Sequence, residues 1–161
     1  EIAKKFNISD SSFIRYSNSF KGRNHRHEIF HQNKKIKFIN DSKATNFEAT
    51  KNALINNKNI YWILGGLPKK KDFFYFKNFK KNIIKAYIIG KNISFFEKQI
   101  KNKISYIVSK NLEKAISHIY QDIKFSKIKH KTILLSPAAA SYDQFKNFEE
   151  RGNRFKQLIK K

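Results

Sequence analysis

The sequence predicts an α/β fold, a mostly parallel sheet flanked by helices, with an N-terminal β-hairpin. From residue 46 onward helix-like segments alternate with short strands, the pattern of repeated strand–helix units. These strands are nearly all apolar, as expected for strands that are buried on both faces of a parallel sheet. Before the alternation, two strand-like runs joined by Asn33-Lys34 predict the hairpin.

The elements follow one another in a simple order. Residues 1–21 are predicted to form a helical tail, with Ser11 or Ser12 as its cap, and Gly22-Arg23-Asn24 resembles a linker. We interpret 1–21 as the end of a preceding domain and 22–161 as one domain. The predicted strands are 27–32, 35–39, 60–64, 86–89, 104–108 and 132–135. The predicted helices after the tail are 46–57, 74–85, 93–102, 111–123 and 143–160.

Composition excludes several classes of protein. With 161 residues, of which 40% are hydrophobic, the chain can bury a core. It has no Cys, which excludes disulfides and thiol chemistry. It has neither a signal-peptide h-region at its start nor an apolar run of the roughly 18 residues that a membrane span needs. The chain does not begin with Met and contains none, so we expect it to be part of a longer protein.

The formal net charge of +23 allows two interpretations. A strongly positive field attracts phosphate backbones, which would suit a nucleic-acid-binding protein. The basic residues, however, are mostly Lys rather than Arg, and they are spread along the chain. Lys, Ile, Asn and Phe share A/T-rich codons, so a biased genome and a solvated surface explain the charge better. Nucleic-acid binding remains the alternative.

Three segments that follow predicted strands could bind an anionic substrate. Such segments lie at the carboxyl ends of strands, where open α/β sheets bind ligands. Asp41-Ser42-Lys43-Ala44-Thr45-Asn46 combines an acid, a base and two hydroxyls, and the second segment, 65–73, combines two glycines with lysines. The third, 134–145, is rich in small residues and carries Ser141 near the start of a predicted helix. Taken singly, the last two are also compatible with a surface turn and with an ordinary helix cap.

Other sites are weakly indicated or missing. His25, His27 and His31 are close in sequence, but no set of carboxylates or Cys completes a metal site. The sequence contains no Gly-x-x-x-x-Gly-Lys-Ser/Thr phosphate loop and no Gly-x-Ser-x-Gly elbow. The chain therefore lacks the usual means of activating ATP by itself.

Four segments of the sequence carry recognisable motifs. They are the Gly22–Glu28 run Gly-Arg-Asn-His-Arg-His-Glu, the 38–46 run ending Asn-Asp-Ser-Lys-Ala-Thr-Asn, the 64–73 loop with Gly-Gly and Asp-Phe, and the 135–152 run with Ser-Pro-Ala, Asp-Gln-Phe and Arg-Gly. In order and spacing these four segments together resemble the Mur ligase family, most closely its D-glutamate-adding members. The second and fourth segments are the most specific, and the match spans about residues 20–157.

The resemblance implies a three-domain cytoplasmic enzyme, a monomer, of which this chain is the Rossmann-like C-terminal domain. Residues 1–21 would then end the central ATP-binding domain. The implied reaction joins D-glutamate to UDP-N-acetylmuramoyl-L-alanine at the expense of ATP, through an acyl phosphate. ATP and Mg²⁺ are the implied cofactors, with the magnesium ligands in the central domain and none in this chain. Other Mur ligases and folylpolyglutamate synthases remain alternatives, although the 141–152 run argues against them.

The resemblance also implies roles for individual residues. Arg26 and Lys43 are the implied catalytic residues, Arg26 as the arginine that reaches the ATP phosphate and Lys43 as a lysine close to the amino-acid pocket. The implied nucleotide-binding residues are His25, Arg26 and Asp41. The implied D-glutamate pocket consists of Thr45, Lys69, Ser141 and the backbone N–H of Phe148, whereas Lys70 and Lys71 are expected to face solvent. We expect the chain alone to have no ligase turnover.

Overall fold

The computed structural model describes residues 2–20, 22–77 and 79–160, and for Ile2 and Ala3 only the backbone. A six-stranded sheet in the order β1-β2-β6-β3-β4-β5 forms its centre. β1 and β2 are antiparallel, and every other neighbouring pair is parallel. The strands are β1 Glu28–Gln32, β2 Ile36–Asn40, β3 Ile60–Gly65, β4 Ile83–Ile89, β5 Tyr106–Lys110 and β6 Lys131–Leu135. The predicted fold class is therefore confirmed, including the hairpin.

The α-helices of the described residues are α1 Ile2–Lys5, α2 Asp10–Ser19, α3 Phe47–Ile55, α4 Ile93–Ile100, α5 Leu112–Lys124 and α6 Phe148–Ile159. Of these, α3 to α6 cover the two faces of the sheet. Residues of α3 and α4 pack in one core cluster with Trp62 and Leu64 of β3. Residues of α5 and α6 pack in the other with Tyr61 and Ile63. Successive side chains of a strand point to opposite faces, so a continuous apolar strand such as β3 fills both clusters.

The predicted helix at 74–85 is wrong. Among the described residues of this stretch, 74–77 and 79–85, there is no α-helix; a short 3-10 turn covers Lys80–Asn82, and β4 begins at Ile83. Phe74 and Phe76 are buried, whereas Phe73 and Tyr75 are exposed, which is the two-residue alternation of an extended chain. The run of aromatic residues suggested a helix, but the chain is extended, and its buried side chains pack individually into the core beside α3.

The last helix begins later than predicted. α6 starts at Phe148, and Asn147 is its N-cap, with a side-chain oxygen that accepts from the N–H of Glu150. Residues 136–147 form a loop in which the Ser141 carbonyl accepts from the N–H groups of Gln144 and Phe145. The helix begins five residues after the predicted start at 143, because the Asn147 side chain caps it there.

The N-terminal helices differ from the rest of the chain in burial. α2 is capped by Ser9 rather than by Ser11 or Ser12, and none of its residues is buried. Large apolar side chains are exposed along this segment, namely Phe6, Ile8, Phe13, Ile14, Tyr16 and Phe20. Across the described parts of the chain, no helix has the length and apolar character needed to cross a membrane.

Candidate functional site

The three strands whose following segments could bind a ligand are neighbours in the sheet. β6 lies between β2 and β3 and runs parallel to both. Their carboxyl ends at Asn40, Leu135 and Gly65 consequently meet at one edge of the sheet. The loops that carry Thr45, Ser141 and Lys69 emerge at this edge, as the sequence predicts, and it is where open α/β sheets bind ligands.

Hydrogen bonds join the three loops to one another. Leu67 and Ala140 form an isolated antiparallel bridge, with N–O distances of 2.8 and 3.0 Å. The Phe47 N–H donates to the Asp72 carboxylate at 2.8 Å, and the Asp72 N–H donates to the Lys69 carbonyl at 3.2 Å. The loop that carries Lys69 is thus connected to the loop after β6 and to the start of α3, which follows β2.

The four predicted pocket residues differ in exposure. Ser141 is 2% exposed, while Thr45 and Phe148 are partly buried and Lys69 is exposed. Phe148 is the first residue of α6, so its N–H belongs to the free donors at a helix N-terminus. Lys70 and Lys71 are exposed, as predicted, but so is Lys69, and exposure alone does not distinguish them.

Arg26 and Lys43 line a cavity of about 320 Å³ beside the turn after β2. Its other polar lining residues are His27, Asp41 and Asn52. The Lys43 ammonium stands 3.7 Å from the centre of the Phe148 ring, a cation–π contact. Two cationic side chains and a carboxylate around one cavity are suited to a phosphate group and a polar sugar.

Asp41 has two partners within the protein. It is buried, and it accepts the His27 N–H at 3.0 Å and the Ser136 hydroxyl at 2.6 Å. Burial raises the pKa of its carboxyl, and these two hydrogen bonds oppose that rise. Asp41 therefore shapes the turn after β2, and its predicted contact with the nucleotide stays a prediction.

His25 is turned into the protein rather than to the surface. Its ring is 6% exposed, pairs with the Asn40 amide at 2.9 Å and meets the Phe148 ring edge-on at 5.9 Å. A Cβ on Gly152 would stand 2.2 Å from its Nδ1, so only glycine fits there. Burial lowers the pKa of His25 and favours the neutral imidazole. A direct contact with the nucleotide, which the sequence analysis implied, stays a prediction.

The histidines do not form a metal site. The His31 ring packs on Phe38 at 5.5 Å, and His27 faces the Asn57 amide at 3.4 Å. Within residues 2–20, 22–77 and 79–160, no group of three or more His, Cys, Asp or Glu side chains is placed to bind a metal ion.

Comparison with known proteins identifies the family. No family model matches the chain. Three relatives are the UDP-N-acetylmuramoylalanine–D-glutamate ligases of the Wolbachia of Brugia malayi, of Rickettsia felis and of Rhizobium meliloti. In that order, their sequences are 40%, 37% and 40% identical to this one, over alignments that cover 99%, 99% and 92% of this chain. The chain belongs to the Mur ligase family. It spans about a third of these relatives' length, namely 32%, 36% and 32%.

Two residues of this Mur ligase chain belong to the site but were not predicted from the sequence as site residues. Asp72 was read only as a motif residue, but its carboxylate caps α3 and so fixes the 65–73 loop. Arg151 was likewise only part of the Arg-Gly ending. Its signal in the sequence was weak, since an arginine three residues into a helix is usually a solvated side chain.

Arg151 is in fact one of the most buried side chains of the Mur ligase chain, at 1% exposure. Its Nε donates to the Ser42 hydroxyl at 3.0 Å, and its Nη2 donates to the Ser42 and Ala139 carbonyls at 2.8 and 3.0 Å. The Ser42 hydroxyl in turn donates to the Phe148 carbonyl at 2.8 Å. Arg151 thus ties α6 to the loops after β2 and β6.

Proposed function

We propose that this chain is the amino-acid-binding domain of an ATP-dependent ligase that adds D-glutamate to UDP-N-acetylmuramoyl-L-alanine in peptidoglycan synthesis. In this proposal residues 22–161 form that domain and 1–21 end the preceding ATP-binding domain. The relatives, each a D-glutamate ligase, support it. The observation that carries it is the convergence of the Thr45, Lys69 and Ser141 loops at one edge of the sheet.

The proposed pocket matches the two charged ends of D-glutamate. The Lys69 side chain is long and exposed, and its ammonium would pair with the side-chain carboxylate of D-glutamate. The Thr45 and Ser141 hydroxyls and the Phe148 N–H would donate to the ligand, and the start of α6 adds the positive end of a helix dipole. Charge-assisted hydrogen bonds of this kind are about twice as strong as neutral ones.

The neighbouring cavity is proposed to receive the phosphate end of ATP. Arg26 and Lys43 line it and would stabilise the negative charge that develops during phosphoryl transfer. Asp41 and His25 would support the nucleotide side. The residues described offer no cluster for Mg²⁺, so the magnesium ligands of the proposed enzyme would lie elsewhere.

The chemistry proposed for this chain is positioning. ATP supplies the activation of the alanine carboxylate as an acyl phosphate. The pocket would hold the D-glutamate amine against that carbonyl, and Lys43, beside Phe148, would stabilise charge in the tetrahedral intermediate. Without a phosphate loop in its sequence, the chain alone is expected to release no phosphate from ATP. We propose that the whole enzyme is a monomer and acts in the cytoplasm.

Binding of D-glutamate to the isolated chain tests the proposal. We expect addition of D-glutamate to shift the backbone amide NMR signals of Thr45, Ser141 and Phe148, and those of loop 65–72, in a saturable way. L-glutamate has the same charge and composition, so it is the matched control and should shift them far less. Equal shifts with both enantiomers, or saturable shifts confined to other regions, would refute the pocket.

A further inference from the structure

Arg151 carries a buried positive charge without a buried negative partner. Among the described residues, the ion pairs involve Lys51, Lys85, Arg154 and Lys156 as cations, and Arg151 is in none of them. Its acceptors are a hydroxyl and two carbonyls, which are neutral. A buried charge in low dielectric is costly unless it is paired. Burial accordingly lowers the pKa of Arg151 to about 10.

One amino group of this guanidinium has no hydrogen-bond partner at all. Nη1 is the only buried side-chain nitrogen or oxygen without a partner among residues 2–20, 22–77 and 79–160. Native proteins leave few buried donors unsatisfied, and those that persist are often at functional sites. The Asp143 carboxylate opposes the effect of burial on this charge, but the acceptors of the guanidinium are Ser42 and Ala139. The unpaired donor and the lack of an ion pair both point to an anionic ligand.

The position of Nη1 indicates where that anion would be. A Cβ built on Gly66 would stand 3.2 Å from Nη1, so the amino group lies under the start of the loop after β3. The same guanidinium touches Ser42 after β2 and Ala139 after β6. The charge thus lies beneath the junction of the loops that carry Thr45, Lys69 and Ser141.

We propose that Arg151 is a specificity-determining residue whose charge is balanced by the α-carboxylate of the bound amino acid. The inference rests on the proposed function. Lys69, three residues beyond Gly66, is assigned to the side-chain carboxylate, which leaves the α-carboxylate for the end of the pocket nearest to Gly66 and Ser141. The attraction acts through a thin layer of low-dielectric protein, where a charge is felt more strongly than in water.

A merely structural role for Arg151 would have a different signature. If the guanidinium only tied the loops together, its removal would weaken every ligand of the pocket by the same factor. A counter-charge instead weakens only those ligands that carry the matching carboxylate. A cycle that changes both the residue and the ligand separates the two roles.

The experiment measures dissociation constants by chemical-shift titration of this chain with three ligands. They are D-glutamate, D-glutamine, which lacks the side-chain charge, and D-isoglutamine, in which the α-carboxylate is an amide. Arg151→Met keeps the length of the side chain and removes its charge. Arg154→Met is the matched control, because Arg154 lies one turn away in α6 and its salt bridge to Glu113 is exposed.

We expect Arg151→Met to weaken D-glutamate and D-glutamine by roughly tenfold and D-isoglutamine little, and Arg154→Met to change none of them. Equal weakening of all three ligands, or selective loss of the D-isoglutamine complex, would overturn the inference and leave the proposed function intact. Absence of D-glutamate binding to the wild-type chain would overturn both.

Loss of folding in Arg151→Met would not end the test, because the wild-type chain offers a second readout. The ¹⁵Nε signal of Arg151 should shift when D-glutamate or D-glutamine binds and should stay in place with D-isoglutamine. An unchanged Arg151 signal, while the amide signals of Thr45 and Ser141 move, would refute the counter-charge.

Discussion

Lys69 and Lys70 are adjacent, both exposed and chemically identical. Comparing them is therefore the sharpest test of the pocket at the scale of a residue. Only Lys69 is assigned a ligand contact, and its carbonyl fixes the turn to Asp72. Lys69→Ala should weaken D-glutamate binding by about 2–4 kcal/mol, because a charge-assisted contact to a desolvated carboxylate is lost.

Lys70→Ala removes the same charge from the same loop and should leave the dissociation constant nearly unchanged. Isothermal or NMR titration of both variants measures the difference directly. If the two variants bind D-glutamate with the same affinity, Lys69 makes no contact that Lys70 lacks, and the assignment of Lys69 to the pocket fails.

His25 predicts a dependence of stability on pH. Its pKa, like that of His27, lies below the ordinary value of 6.5, chiefly because burial disfavours the charged ring. Below pH 6.5 the unfolded chain binds more protons at these rings than the folded chain does. The stabilisation is therefore complete above pH 6.5 and is lost as the pH falls from there through the lowered folded-state pKa values.

Denaturant unfolding between about pH 7.5 and about pH 5.5 measures this dependence. His25→Asn removes one titrating ring and suits the position, because His25 has a φ of 62° and Asn tolerates that conformation. The variant should be less stable at neutral pH but lose less further stability on acidification. A wild-type curve and a variant curve with the same slope would contradict the prediction.

At the scale of an element, the segment between β3 and β4 shows where periodicity misleads. Residues 74–85 were assigned to a helix, but the side chains of Phe73, Phe74, Tyr75 and Phe76 alternate between solvent and core. Phe74 is 4% exposed and stacks on Phe47 at 4.2 Å, while Phe73 is 63% exposed. The extended conformation depends on the pocket beside α3, a contact across 27 residues that local sequence does not encode.

Matched substitutions test that conformation. Phe74→Ala should lower the free energy of unfolding by about 3–5 kcal/mol, because it empties a packed site in the core. Phe73→Ala should change it by less than about 0.5 kcal/mol, as is usual for exposed positions. Equal effects in thermal or denaturant unfolding would show that both rings are buried and would contradict the alternation between core and solvent.

Other elements were predictable because their signals are local. β3 and β6 are short and continuously apolar, and α3 begins at a capping Asn46 whose side-chain oxygen accepts from the Ala49 N–H. α6 was predicted from residue 143 but begins at Phe148, after its N-cap Asn147. Several residues before it could serve as caps, and the packing of the 136–147 loop decides among them.

At the scale of the whole molecule, the order of strands explains how separated motifs become one site. β2 and β6 are more than 90 residues apart in sequence, yet Asn40 pairs with Leu135 in register. Alternating strands and helices predict such a sheet and the edge at which ligands bind, and the motifs predict which loops matter. The role of Arg151 could not be predicted, because its burial arises only when three distant loops close around it.

The formal net charge of +23 leads to a prediction about nucleic acid, the alternative that composition leaves open. The cations are not confined to the end of the sheet with the proposed pocket. At the other end, where the parallel strands begin, a cavity is lined by Lys35, Lys37, Lys58 and Lys131. Dispersed lysines attract phosphate through charge alone and lack the arginine forks that read bases.

We therefore expect weak binding of duplex DNA without sequence preference, measured by fluorescence anisotropy with two labelled duplexes of equal length and different sequence. The affinity should fall steeply between about 50 mM and 200 mM salt, because binding releases counterions. Both duplexes should give the same curve, and D-glutamate should leave it unchanged, since its proposed pocket lies at the other end of the sheet. Tight binding at the higher salt, with a clear preference for one duplex, would show that the charge serves recognition and would favour the nucleic-acid alternative.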